Sequence, residues 1–165
     1  MDFFYPNRTN DFWKVMGLIF DGDVNTLYDT ATRSYRLDDI KALLHDHHIA
    51  MGDTAAEVRR LRGNASDKFL EIVRPIDLVA LADSMPDLQA VVATGEKAAS
   101  VVAQLTGTVV PPVGGYELWH TDDGREIRLY RMPSTSRAYP LPVERKAEYY
   151  RAMFRQIGII DNRET

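Results

Sequence analysis

Leu88-Gln89-Ala90-Val91-Val92-Ala93-Thr94-Gly95-Glu96-Lys97-Ala98 decides the fold class. Leu88 to Ala93 is a short, nearly continuous apolar run, the pattern of a strand buried on both faces of a parallel sheet. Gly95 breaks it, and Ala98, Val101, Val102 and Leu105 then recur at helical spacing. The unit is a strand, a glycine turn and a helix. Ligands of such sheets gather outside the carboxyl ends of the strands, so Thr94-Gly95-Glu96-Lys97 is a candidate site loop. Lys97 opens a helix and can meet an anion there. Its plainer role is in an ordinary strand-to-helix turn, because one glycine does not make a phosphate loop.

Downstream, Tyr116 to His120 and Glu126 to Tyr130 read as strands joined by the turn Asp122-Asp123-Gly124. Met132-Pro133 marks a second strand-to-loop junction. The last helix carries Val143, Ala147, Tyr150, Phe154 and Ile157 on one stripe, with arginine and lysine expected elsewhere. Upstream, Phe12, Val15, Met16 and Ile19 mark a helix behind Asn10, and Leu37, Ile40, Leu43 and Leu44 mark another that ends near the histidines. Ile49-Ala50-Met51 is expected to be a short buried strand leading to Gly52-Asp53-Thr54. Ala55 to Arg62 is read as a basic helical stretch, Gly63 to Asp67 as a loop, and a further helix is expected from Pro75 to Met85-Pro86.

Alternating helices and apolar strands predict an α/β fold, a mostly parallel sheet with helices on both faces. Its 165 residues, 45% hydrophobic and 27% charged, suit one domain spanning 1–165 with a sizeable core. The chain has no cysteine, which excludes disulfides and thiolate chemistry and suits the cytoplasm. The opening carries Asp2, Asn7, Arg8 and Asp11 where a signal peptide would be apolar, and no run reaches membrane-spanning length. The net charge of −4 argues against a protein that coats nucleic acid but allows a local basic face.

Pro133-Ser134-Thr135-Ser136-Arg137-Ala138-Tyr139-Pro140 gathers hydroxyls, an arginine and a tyrosine directly after a strand. Ser134, Thr135 and Ser136 can donate to phosphates, and Arg137 or Tyr139 can enter a duplex. A capped surface loop explains the same residues. In Phe3-Phe4-Tyr5-Pro6-Asn7-Arg8-Thr9-Asn10 the rings of Phe4 and Tyr5 can stack on a flipped base and amides can read its edge. Here an aromatic plug with Asn10 as helix N-cap is the alternative. Asp53 can accept from a base or orient water, or simply cap a helix. His45, His47 and His48 have no cysteine or helix-spaced carboxylate beside them, so they read as a solvated helix end and not as a metal site. Ser134 and Ser136 lack a nucleophile-elbow pattern, which argues against a Ser-His-Asp hydrolase.

Phe4-Tyr5-Pro6-Asn7-Arg8-Thr9-Asn10-Asp11-Phe12-Trp13 and Met132-Pro133-Ser134-Thr135-Ser136-Arg137-Ala138 resemble two blocks of the uracil-DNA glycosylase superfamily, in its mismatch-specific and hypoxanthine-DNA glycosylase group. His48 to Asp53 resembles that group's strand leading to a base-contacting residue, and Val91 to Ala98 its strand-glycine-helix segment. The resemblance spans nearly the whole chain in the expected order. It implies a three-layer α/β/α sandwich with a central, mostly parallel sheet, and a monomeric enzyme that flips a damaged or mismatched base from DNA. The N-glycosidic bond of that base is then hydrolysed without cofactor or metal. By the same resemblance Asn10 serves catalysis or base contact, Phe4 and Tyr5 wall the base pocket, and Asp53 reads the base edge. Ser134, Thr135, Ser136 and Arg137 grip the strand, with Lys97 a further DNA contact.

Two departures bear on activity. The family places a central strand and a Gly- and Pro-rich loop ahead of the position of Phe3, so the expectation is either an internal start, with an N-terminally truncated domain, or a domain that lacks a central strand. Relatives often carry His or Asn before the matched Pro133, where this chain has the apolar Met132. Two other expectations therefore stand beside the glycosylase: a non-catalytic DNA- or nucleobase-binding member of the fold, and a generic interaction module. The module places the aromatic opening and the Ser-Thr-Ser-Arg loop far apart.

Overall fold

A computed structural model describes residues 5, 8–52, 55–60 and 70–160. The fold is mixed α/β and divides into two compact units, one of residues 1–51 and 133–165, the other of residues 52–132. Phe4 and Asp53 lie outside the described residues, as does the predicted loop Gly63 to Asp67. Among the described residues no helix is long and apolar enough to cross a membrane.

The first unit is built on α1 (Phe12–Asp21) and α5 (Val143–Gln156), the opposite ends of the sequence packed side by side. Phe12, Trp13, Val15 and Met16 are buried on α1, and Ala147, Tyr150, Met153 and Phe154 on α5. Tyr150 meets Phe12 edge-on at 6.4 Å between centroids, and Phe154 tilts against Phe20 at 5.6 Å. Both apolar stripes follow the expected 3.6-residue spacing, with one exception on α5. Lys146 stands within the stripe and is fully buried.

Between these helices in sequence lie a short antiparallel ladder of β1 (Tyr28–Asp29) and β2 (Ser34–Tyr35), then α2 (Leu37–Asp46). Ile40, Leu43 and Leu44 are buried on α2, as their spacing predicts. Ile49-Ala50-Met51 is not a strand. His48 adopts a left-handed φ of 58°, its N–H donates to the His45 carbonyl (3.2 Å), and the Ile49 N–H donates to the Leu44 carbonyl (2.9 Å). This is a Schellman ending. A three-residue apolar run cannot reveal its period, and here it closes a helix.

The second unit holds a three-stranded mixed sheet in the order β5-β7-β6. β5 (Ala90–Thr94) runs parallel to β7 (Glu126–Met132), and β6 (Tyr116–His120) pairs antiparallel with β7 through the predicted Asp122-Asp123-Gly124 turn. α3 (Leu78–Asp83) and α4 (Glu96–Thr106) complete its core, where Leu78, Ala82, Ala99 and Val102 pack with Ala93, Trp119, Ile127 and Leu129. Gly95, at φ 98°, makes the turn from β5 into α4, a conformation costly for any residue with a Cβ.

Two sequence expectations fail in this unit. Within the stretch Ala55 to Arg62, the described residues are not helical: β3 (Ala55–Arg60) pairs antiparallel with β4 (Leu70–Pro75), in a register that sets Val58 opposite Ile72 and Arg59 opposite Glu71. Helix propensity is a weak bias of a few tenths of a kcal/mol per residue, and ladder pairing overrides it. The helix expected from Pro75 starts instead at Leu78. Pro75 still pairs with Ala55, and Asp77 caps the helix by accepting from the Ala80 N–H (3.0 Å).

Candidate functional site

Pro133 ends β7, since a residue without an N–H cannot extend the ladder, and the chain enters Ser134 to Arg137. This loop pairs with the segment before α1. The Asp11 N–H donates to the Thr135 carbonyl (2.7 Å), the Arg137 N–H donates to the Thr9 carbonyl (2.9 Å), and Asn10 and Ser136 form an antiparallel bridge between them. Two segments from opposite ends of the sequence thus become one short ladder.

Buried polar groups hold that ladder in place. The Lys146 ammonium donates to Asp11 Oδ2 (3.1 Å) and to the Ser136 carbonyl (2.9 Å), one bond to each side. One turn along α5, the Tyr150 hydroxyl donates to the Pro133 carbonyl (3.2 Å). Burial, together with Tyr5, pushes the Tyr150 phenol well above its ordinary pKa, so it stays a neutral donor. Lys146 and Tyr150 are four residues apart and so share one helix face.

Around the ladder lie the residues expected to act. Asn10 does not occupy the N-cap position itself, which falls to Asp11; its Oδ1 accepts from the Phe12 N–H at 2.9 Å, one residue earlier than a usual cap. The carboxamide oxygen is thereby engaged, and the NH2 end is the one left to donate. Tyr5, at φ 55°, lays its ring against Phe12 at 4.9 Å. Ser134 Oγ accepts from the Ser136 N–H, and Ser136 Oγ accepts from the Ala138 N–H, both at 3.2 Å. Each hydroxyl spends its acceptor side on the turn and keeps its O–H to donate. Thr135 is buried, at 2% exposure, and Arg137 is exposed.

Cations surround the ladder. The Arg8 guanidinium lies over the Tyr28 ring at 4.1 Å and donates to Asn25 Oδ1 at 2.9 Å. Lys14 Nζ is 3.7 Å from Asp11 Oδ1, an ion-pair distance too long for a hydrogen bond. Partial burial, and then the nearby charges of Arg8 and Arg137, hold the Lys14 ammonium below its ordinary pKa, against the opposing pull of Asp11.

Phe4 and Asp53 fall outside the described residues, and Lys97 belongs to the second unit. Lys97 sits on the first turn of α4 in the second unit, half-buried beside Gly95, whose N–H donates to the Met132 carbonyl (3.0 Å). Met132 itself is fully buried. A small apolar cavity in that unit, lined by Ala93, Ala99, Val102, Leu129 and Tyr130, has room for little more than a water molecule and offers no chemistry. His47 stacks on Phe20 at 4.2 Å, and His48 closes α2.

Sequence reasoning missed Lys146, Asp11, Lys14 and Arg8. For Lys146 there was a signal, a lysine inside an apolar stripe. Asp11 and Lys14 had only their placement beside the bridge, which local pattern does not reveal. No protein-family model matches the chain, and neither a curated protein nor a solved structure matches it.

Proposed function

We propose that the chain is a monofunctional DNA glycosylase that hydrolyses the N-glycosidic bond of a flipped uracil or hypoxanthine. The observation that carries this reading is the Asn10–Ser136 bridge, which joins the aromatic, amide-bearing block to the Ser-Thr-Ser-Arg loop on one ladder of the first unit. A generic interaction module gives no reason for that juxtaposition. On this reading the mixed sheet belongs to a three-layer α/β/α sandwich with a mostly parallel sheet, and the protein acts as a cytoplasmic monomer in base excision repair.

The chemistry follows from the groups at the ladder. Tyr5 flanks the extruded base, and the resemblance alone assigns Phe4 to flank it and Asp53 to read its edge. As the bond to the sugar breaks, the base leaves with the bonding electrons, and the Asn10 NH2 donates to the oxygen on which negative charge grows. Water adds its hydroxyl to the sugar carbon, and its remaining proton ends on the base. The hydroxyls of Ser134 and Ser136 and the Arg137 guanidinium hold flanking phosphates. The buried Lys146–Asp11 pair keeps both halves of the site in register before substrate arrives, which is preorganisation in the physical sense.

One observation favours a second reading, a non-catalytic DNA- or nucleobase-binding member of the fold. Met132, where relatives often carry His or Asn, is apolar and fully buried, so that position offers no polar group to the sugar or base. A single-turnover assay separates the two readings. Duplexes carrying uracil, hypoxanthine or normal bases are incubated with enzyme and treated with alkali to reveal abasic sites. The glycosylase reading expects release from one lesion, reduced about 10²-fold or more in Asn10→Ala, the usual scale for loss of one transition-state donor. Binding to the lesion duplex with no release assigns the second reading.

A further inference from the structure

The ladder holds Asn10 through Ser136, and a second tether reaches the same segment from the turn that follows α1. Arg8 stands two residues before Asn10. Its Nη2 donates to Asn25 Oδ1 (2.9 Å), and its guanidinium carbon lies 4.1 Å from the centroid of the Tyr28 ring. That turn is itself fixed. Gly22 ends α1 at a left-handed φ of 70°, the Asn25 N–H donates to Asp23 Oδ1 (2.9 Å), and the Tyr28 N–H donates to the Asn25 carbonyl (3.1 Å). The turn also lies hard against the helix. A Cβ on Gly17 would stand 2.6 Å from the Asp23 carbonyl oxygen and 2.9 Å from Thr26 Cγ2, a space that only glycine leaves open.

These contacts close a ring. α1 leads to the turn, the turn packs back on Gly17, and Arg8 joins the turn to the segment that enters α1 at Phe12. Asn10 lies inside that ring, its Oδ1 accepting from the Phe12 N–H (2.9 Å) and the carbonyl before it, that of Thr9, accepting from the Arg137 N–H (2.9 Å). We propose that Arg8 is a positioning residue for Asn10: its tether to Asn25 and Tyr28 sets where the Asn10 carboxamide NH2 points before substrate arrives. A guanidinium suits that task, because its plane stacks on a ring while its edge donates, and the two contacts together fix an orientation. What the Asn10 NH2 does rests on the glycosylase reading above, whereas its positioning by Arg8 does not.

The test uses the full chain with Arg8→Ala, Asn25→Ala and the double variant, in single-turnover release from uracil and hypoxanthine duplexes and in binding to the same duplexes. Each single variant is expected to slow release about tenfold, the scale of one hydrogen bond, with duplex affinity near wild type. The double variant should be no slower than the slower single one, since the two residues share one contact. Arg8→Lys keeps the charge without the stacked fork, and is expected to melt with wild type yet release more slowly, which separates positioning from stability. Wild-type release rates in Arg8→Ala and Asn25→Ala overturn the proposal and leave the glycosylase reading standing. A slope of log affinity against log salt that falls by about one in Arg8→Ala makes Arg8 a phosphate contact, and also overturns it. If wild type releases no base, the glycosylase reading fails and NMR decides on the tether alone. A shift of the Asn10 side-chain NH2 resonances in both Arg8→Ala and Asn25→Ala upholds the positioning role, and unchanged resonances overturn it.

Discussion

The two units enclose different interiors. In the second, Ile127, Leu129, Trp119, Ala93 and Val102 form an apolar core against α3 and α4, and among the described residues no charged side chain is buried with it. In the first, a comparable apolar stripe on α1 and α5 surrounds a buried lysine and aspartate. A buried ion pair is a poor source of stability, because desolvation can exceed the Coulombic gain, and apolar residues of similar volume often do as well. Its retention beside the ladder is therefore better explained by geometry. It holds two distant segments in one arrangement, where an apolar contact would tolerate sliding.

Lys146→Met tests this contrast most severely. It leaves the Asp11 carboxylate buried without its ammonium partner and the Ser136 carbonyl without its donor, and should cost about 3–5 kcal/mol. Urea unfolding measures the loss, and hydrogen exchange should place it in the first unit. Adding Asp11→Asn to the same chain should recover much of the stability without restoring the ladder. A neutral single variant would erase the distinction between the two interiors.

In the second unit the matching experiment is Ile127→Ala, which removes fully buried apolar atoms and should cost roughly 2–4 kcal/mol through lost transfer energy and a cavity. Here a second substitution that removes charge should recover nothing. A smaller effect of opposite sign is expected at the end of α2. His48→Gly relieves a left-handed conformation and should stabilise by up to about 1 kcal/mol, seen as a higher urea midpoint. A lower midpoint would mean that the imidazole holds more than the helix end.

The smallest effect concerns pH. The Asp29 carboxylate accepts from the backbone N–H groups of Thr32 and Ala31, and these bonds hold its pKa below the ordinary value. A depressed folded pKa contributes stability that is present above the unfolded value, near 4, and is lost as pH falls through the folded one. Asp29 is half-buried at the edge of a two-stranded ladder and open to solvent, so the contribution is slight, and an NMR titration of its carboxyl is the measurement of choice. A midpoint at the model-peptide value would remove it.

Legibility of the fold followed the range of the interactions involved. Phe12 to Ile19, Ala98 to Leu105 and Val143 to Phe154 show their helices because apolar spacing is written within a few turns. The β6–β7 hairpin is legible for the same reason, through Asp122-Asp123-Gly124. Ala55 to Arg60 is illegible because its state depends on pairing with Leu70 to Pro75, and β-structure is set by neighbours more than by the strand's own residues. Ile49 to Met51 misleads because three residues are too few to separate strand from helix end.

For the candidate site, the inventory was readable from the residues alone, as aromatic rings and amides before the first helix and hydroxyls and an arginine after a strand, whereas the burial of the lysine in the last helix's apolar stripe was not. Packing alone brings Asn10 to Ser136 and sets Lys146 to bond both sides of that bridge. Periodicity records which face of an element is buried. Which distant segment it meets there is fixed by the packing of α1 on α5, and no local pattern encodes that choice.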